Sequence, residues 1–429
     1  MSTFQIIVLG ICAALILIGV GVFASFGGVL GGGSTGAVVI WGTLDSTTMD
    51  GVLTTLRSSD EAFQDVSYVE KSATNYDAEL LNAMAAGTGP DLFLVSIDKL
   101  HSFSDKIITI PYRLVSQTSY LNAFFDESEL FLTSQGELAL PFLIDPLVMY
   151  WNRDLFAAAG LAEPPRYWNE LLAIAPKITS LDRSNVTTSA VALGTWSNIA
   201  HAKEILSTLF IQAGDRVVVR GADGALLPTL GSVSGGGSAD APSALRFYTD
   251  FANPTKTTYS WNRGLPVSTN AFAAGDVAIY FGFVSEYPTL AARNPNLRFS
   301  VAQVPQVEGS LSLATFGRMT GLAIPRTARN IEGAAIVAEK LVGEEAIELI
   351  AQATGLPPVR RDISFDTSAD ANAAVFAQAA LISRAWLDPS PKATDDIFKT
   401  MIESVISGAA EPATAVSTAA QALRQLVGR

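Results

Sequence analysis

The 429-residue chain holds one cysteine and two histidines, and only 16% of its residues are charged. The single cysteine, Cys12, excludes a disulfide framework and a thiolate metal site. His101 and His201 stand far apart in sequence, which leaves little material for a His-rich zinc or iron centre. No basic run exists, and 28 Lys+Arg against 41 Asp+Glu leave a net charge of −13. Phosphate binding needs clustered cations, so nucleic acid is excluded as a partner. No G-x-G-x-x-G follows a strand-like run, no Walker loop is present, and neither histidine lies in a hydrolase-like motif. No internal repeat of fixed period is found. What is present is apolar: 49% of residues are hydrophobic, ample for the cores of the two or three domains that roughly 150 residues per domain would give.

Charge is also missing locally, since the first charged side chain is Asp45. Phe4 to Phe26 is almost continuously apolar, about twenty residues and enough to cross a ~30 Å hydrocarbon core as a helix. A retained anchor fits this length. A cleaved signal peptide is the alternative, with small residues near Ala24, but the apolar run is long and no basic segment precedes it. Cys12 sits in mid-run after Ile11, which rejects a lipoprotein site. We therefore expect residues 1–27 to be a single-pass anchor and residues 28–36 a Gly/Ser linker. No Lys or Arg flanks the run, so orientation is not set by charge. The working expectation places the large acidic part on the extracytoplasmic face.

Beyond the linker, Ala37 to Trp41 and Val66 to Val69 read as strands. A helix beginning at Asn75 stops at Gly87, and Gly89-Pro90 turns the chain into the apolar run Asp91 to Val95. Strand, helix, strand with short connections is the βαβ signature of an α/β domain. Leu138 to Asp145 and Leu147 to Trp151 read as two extended stretches broken by Pro146, with helix starts at Asn152 and Trp168. Further strand-like runs are Ala190 to Leu193, Val277 to Phe281, Phe299 to Val304 and Met319 to Ile324. Helical periodicity fills much of the remainder from Asn330, and Gly221 to Ala241 reads as a surface loop.

Several segments together resemble, in order, the extracellular solute-binding proteins of ABC importers, the maltose-binding-protein-like family. The most extended lies between Gly136 and Thr179: Leu140-Pro141-Phe142 with Asp145, then Tyr150-Trp151-Asn152-Arg153-Asp154-Leu155-Phe156, Ala159-Gly160-Leu161, Pro164-Pro165 and Tyr167-Trp168-Asn169-Glu170-Leu171. Ala83 to Val95, Ala271 to Ile279, Gly321 to Pro325 and Gly355 to Pro358 match other family segments. Tyr167 replaces the usual Thr, and the segment ending in Phe283 lacks the usual Trp. The resemblance implies an α/β, two-lobed periplasmic-binding-protein-like fold of type II, with a ligand cleft between the lobes. Its lobe 1 would hold residues 37–143 and 298–345, and lobe 2 residues 144–297 and 346–429. It further implies a monomer that needs no cofactor and no metal, binds a mono- or oligosaccharide, and docks on ABC permease subunits.

Ligand candidates follow from strand ends and from the chemistry of sugars, whose C–H faces stack on rings while hydroxyls need placed polar groups. Trp41 ends the first strand and Asp45 lies in the loop after it, Asp98 follows the strand ending at Val95, and Asp145 lies at the expected hinge. For Asp45 and Asp98, helix capping competes with ligand contact. The second lobe offers Trp196, Asn198, Trp261 and Phe283, with Tyr259, Tyr280 and Tyr287 nearby. Arg318 either meets the ligand or makes a surface ion pair. Trp168 starts a helix and is assigned to lobe packing. A glycoside-acting enzyme using Asp45 and Asp145, and a non-transport sensor or adhesin, are the competing functions.

Overall fold

Val38 to Gly42 alternate buried and half-buried side chains and form β1, flanked in parallel by β2 (Val66–Glu70) and β3 (Leu92–Ser96). Helices Ser46–Ser59 and Tyr76–Ala86 make the crossovers, the second ending at Gly87 with φ 69°, a conformation glycine adopts without a Cβ penalty. The computed structural model describes residues 35–428, except Leu114, Ser184, Ala222, 233–239, Leu311 and 364–370. The proposed anchor and most of the linker lie outside the described residues. Among the described residues no helix is long and apolar enough to cross a membrane.

β4 (Ile110–Pro111) and β5 (Gly136–Glu137) form a short ribbon ahead of β6 (Leu140–Asn152). The two stretches expected on either side of Pro146 are in fact one strand. Proline lacks the N–H that a ladder needs, but it stands opposite Gly317, and the Thr315 hydroxyl takes up the neighbouring Leu147 carbonyl at 2.7 Å. The strand therefore continues across the hinge. Beyond it come β7 (Ser180–Asp182), β8 (Asn185–Val191), β9 (Val218–Arg220) and β10 (Leu226–Pro228). β10, paired with β9, occupies part of the segment expected to be a loop. β11 (Val277–Phe283), β12 (Phe299–Ala302), β13 (Thr315–Ala323) and β14 (Ser383–Arg384) complete the strands among the described residues.

A mixed sheet runs through the molecule in the order β2-β1-β3-β13-β6-β11-β8-β7, with β12 on β6 and β14 on β13. It is continuous because β6 and β13 each belong to both lobes. The first half of β6 pairs with β13 and its second half with β11 and β12. This makes a two-lobed α/β molecule in which two antiparallel strands form the hinge.

Two expected boundaries move. β12, placed in lobe 1 from residue 298, pairs with Met149–Asn152 and belongs to lobe 2. The return crossing is β13 itself, where the chain reaches β3 through Thr320↔Ser96. Conversely, helix Glu344–Thr354 packs on helix Ser46–Ser59, and Arg361 bonds the Ala123 carbonyl, so this stretch belongs to lobe 1. In both cases the pairing partner is remote in sequence, and local periodicity carries no information about it.

Candidate functional site

The parallel strands of both lobes end toward the hinge. In lobe 1, β3 ends at Ser96 opposite Thr320; in lobe 2, β11 ends at Phe283 opposite Leu147. Open α/β sheets bind ligands at the carboxyl ends of such strands, so the region between the lobes above Asp145 and Arg318 is the candidate site.

Its floor is an interlocked polar network. Asp145 of β6 lies opposite Arg318 of β13, and its Oδ1 accepts the Ser285 amide at 3.0 Å. Burial raises the Asp145 carboxyl from its ordinary value, opposed by the Ser285 bonds and the Arg318 charge. The Arg318 guanidinium lies 3.7 Å over the Phe283 ring centroid and donates to Glu204 Oε1 at 2.7 Å. His201 stands edge-on to the same ring, with centroids 4.9 Å apart. Its Nδ1 faces Arg318 Nη2 at 3.3 Å and its Nε2 faces Glu286 Oε1 at 2.6 Å. Arginine carries only donors, so Nδ1 accepts and Nε2 holds the proton directed at Glu286.

Glu286 also accepts from the Tyr280 hydroxyl at 2.6 Å and the Phe283 amide at 2.9 Å. Burial would raise both Glu286 and Glu204, but hydrogen bonding from His201 in the first case and the Arg318 charge in the second hold them below the usual range. His201 has φ 60°, one of two non-glycine residues with positive φ among the described residues. It precedes helix Ala202–Gln212, whose first turn presents Glu204. A left-handed residue of this kind is uncommon outside Gly, Asn and Asp and is held by its surroundings.

The expected ligand residues divide accordingly. Asp145 and Arg318 are brought together at the floor. Trp41 is half-buried near the end of β1 and Trp196 is half-buried in the connection beyond β8, and Lys71 Nζ sits 3.9 Å over the Trp41 ring. Asp45 is exposed and caps helix Ser46–Ser59 through the Thr48 amide at 2.9 Å. Asp98 is exposed in the first turn of helix Ile97–Phe103, where the Ser96 hydroxyl donates to it.

Three assignments are corrected. Trp261 is fully buried, and its Nε1 donates to Asn198 at 3.1 Å. Asn198 is buried with its amide donating to the carbonyls of Asn262 and Leu265 and its oxygen accepting from Thr195 and Trp261, leaving nothing for a ligand. Phe283 has no exposed surface, because Arg318 and His201 cover it. Tyr280 is likewise buried. Trp168 packs inside lobe 2 against Phe247 and Phe281, with Nε1 donating to Gln212.

Sequence reasoning missed His201, Glu204, Ser285 and Glu286. A signal existed in His201, Lys203 and Glu204, polar residues at the opening of an apolar helix. Lys203, on the same turn, holds Asp388, Thr394 and Asp395 at 2.7, 2.7 and 2.8 Å and ties this helix to helix Pro391–Ile406. Among the described residues no group of three or more His, Cys, Asp or Glu is placed to hold a metal ion.

Two α/β lobes on crossing strands, with polar groups of the hinge gathered beneath the space between them, define a binding protein of the two-lobed class. Residues 63–377 match the family model of the bacterial extracellular solute-binding protein, and the chain belongs to that family. A curated relative, a putative binding protein of Brucella abortus, is 32% identical over 111 residues, which is 25% of this chain and 26% of the relative. The match thus spans about a quarter of the length of such relatives.

Solved structures match over nearly the whole chain. A cyclic α-maltosyl-1,6-maltose-binding protein from Arthrobacter globiformis has a TM-score of 0.76 at 18% identity, covering 91% of this chain and 98% of that one. An ABC transporter solute-binding protein from Thermotoga lettingae, bound with α-D-tagatose, has a TM-score of 0.68 at 21% identity, covering 92% and 100%. At these identities the shared property is the fold.

Proposed function

We propose that this protein captures a carbohydrate on the extracytoplasmic side of the membrane and delivers it, chemically unchanged, to the permease of an ABC importer. Closure of the lobes about β6 and β13 would trap the ligand, and the closed form would dock on the transporter. Such an equilibrium moves by the ligand's differential affinity for the closed form. The observation that carries the reading is the hinge floor itself, where Asp145 and Arg318 stand side by side beneath the space both lobes border. Half-buried Trp41, near the end of β1, and Trp196, in the connection beyond β8, add aromatic faces suited to sugar C–H surfaces. The solved relatives named for maltosyl-maltose and bound with tagatose support the same ligand class.

The test is calorimetric titration of the purified full chain with D-tagatose, maltotetraose and mannotriose, followed by mass analysis of the recovered sugar. Binding with the sugar intact is expected. Turnover of the sugar would make the protein a glycoside-acting enzyme, and binding of amino acids or polyamines in place of every sugar would remove the carbohydrate assignment.

Tethering by residues 1–27 belongs to the same proposal. The chain is then expected to stay with membranes after an alkaline wash and to lose its C-terminal part when intact cells are shaved with protease. Release by the wash, or protection from the protease, would count against it.

A further inference from the structure

Opposite the ligand-facing side of the hinge lies a second buried carboxylate. Glu127 belongs to the 3-10 turn Asp126–Phe131 of lobe 1 and is 2% exposed. Its Oε1 accepts the amide of Met319 on β13 at 3.1 Å, while Oε2 is buried with no hydrogen-bond partner among the described residues. Oε2 rests against Gly317, where an added Cβ would overlap it and also crowd Ser383 at 2.8 Å. The glycine is what lets the carboxyl seat directly on the crossing strand. Its neighbour Asp126 holds Arg361 at 2.8 Å and, at 2.7 Å, Arg384 of β14, the last strand to join the hinge. Glu127 therefore touches β13 beside the residues that anchor β14, on a strand shared by both lobes.

Among the described residues the charges around it are few, and the nearest titratable neighbour on the β5 side is the buried Glu137, next to the end of the same turn. From β14 comes Arg384, which is already bound to Asp126 and to the Ser383 carbonyl. Arg318 of β13 and Asp145 of β6 point to the other face of the ladder, since successive residues alternate. Helix Gln117–Ala123 contributes Tyr120, whose hydroxyl donates to the Ser128 carbonyl. Helix Ile97–Phe103 carries Asp98, Lys99 and His101. Glu129 shares the turn, and a cavity of about 580 Å³ adjoins it, bordered from lobe 2 by Asp215, Arg216 and Arg220.

We propose that Glu127 is a proton-operated latch of the hinge. Carrying its proton, it seats β13 against lobe 1. On losing the proton, it draws Arg384 away from Asp126 and shifts the lobes relative to one another. A buried anion with one hydrogen bond is costly, and its remedies are a counter-charge or water. The counter-charge at hand is Arg384, which borders the same cavity as Glu127 and must leave Asp126 to reach the carboxylate. Burial pushes the carboxyl up to about 8, against the lowering effects of the Met319 amide and Arg384, which puts the switch in the mildly alkaline range. The inference rests on the hinge alone and needs no ligand.

The experiment uses the full chain in a Cys12→Ser background, with nitroxide labels on Thr55→Cys of lobe 1 and Thr418→Cys of lobe 2, both exposed helix positions. Pulsed EPR distances are taken across a titration from roughly pH 6 to roughly pH 9.5, which brackets the folded pKa. The interlobe distance is expected to move with a midpoint near the Glu127 value, to stay at its low-pH position throughout in Glu127→Gln, and to move at lower pH in Asp126→Asn, where Arg384 is free. An unchanged distance in the parent chain overturns the proposal. So does a Glu127→Gln protein that moves as the parent does, or an Asp126→Asn midpoint that does not shift.

Discussion

Asp145 and Arg318 occupy facing positions on the two strands that join the lobes, yet each side chain is held from lobe 2: Asp145 by the Ser285 amide and Arg318 by Glu204. The hinge floor is thus preorganised from one lobe. Preorganised polar groups spare the ordering cost that flexible ones would bring to binding.

Arg318→Gln tests this arrangement. The Arg318 side chain is 44% exposed, so its ion pair contributes at most about 1 kcal/mol to folding. Ligand affinity should fall by about tenfold, equivalent to about 1.4 kcal/mol, while the melting temperature moves little. The Glu204 carboxyl, held low by Arg318, should titrate at higher pH by NMR. Unchanged affinity would remove Arg318 from the site.

Two tryptophans that look alike in sequence should behave oppositely. Trp261→Ala empties a fully buried position and strands Asn198, so it should destabilise the fold by about 3–5 kcal/mol. Trp196 is half-buried in the connection beyond β8, and Trp196→Ala should weaken ligand binding with much less loss of stability. Denaturant unfolding and calorimetry on the same two variants separate the effects, and reversed outcomes would exchange the roles.

This contrast shows what was legible in the sequence. The α/β class, the helix stop at Gly87 and the packing role of Trp168 follow from local pattern, because period, glycine and cap chemistry act over a few residues. The order of family segments brought out the two-lobed fold. The continuity of β6 through Pro146 was not legible, since it depends on Gly317 and Thr315, far along the chain. For the same reason Phe283 looked available: its cover comes from Arg318 and His201. A strand-end aromatic shows its position in sequence, but whether a remote side chain lies on it is decided by the fold.

Lys203 is the tie that holds one wall of lobe 2. Asp388 is 2% exposed and keeps only the Ser390 amide and Thr394 hydroxyl when Lys203 is removed. Lys203→Met should therefore cost about 3–5 kcal/mol, the penalty of leaving a buried charge without its partner. Adding Asp388→Asn should restore part of the loss, because the two changes act on one interaction. Additive losses in a urea double-mutant cycle would show that the pair is not coupled.

The carboxyl groups set opposing pH limits on stability. Glu204 and Glu286 are held below their ordinary value in the folded state. Their contribution is complete above the unfolded value of about 4.3 and is lost as pH falls through the folded values. Glu127, Glu137 and Asp215 are pushed up by burial, to about 8, 7 and 6. Theirs is complete below the unfolded values and is lost as pH rises through 6, 7 and 8 in turn. Urea midpoints should accordingly peak in mildly acidic solution and decline on both sides, the alkaline decline extending past neutrality. Glu127→Gln and Glu137→Gln should each flatten the alkaline side while leaving the acid side in place, since neither touches Glu204 or Glu286. A midpoint that rises steadily from acid to pH values of about 8 would mean that the buried acids are ionised in the folded protein, and the seat of Glu127 on β13 would then have to include a counter-charge.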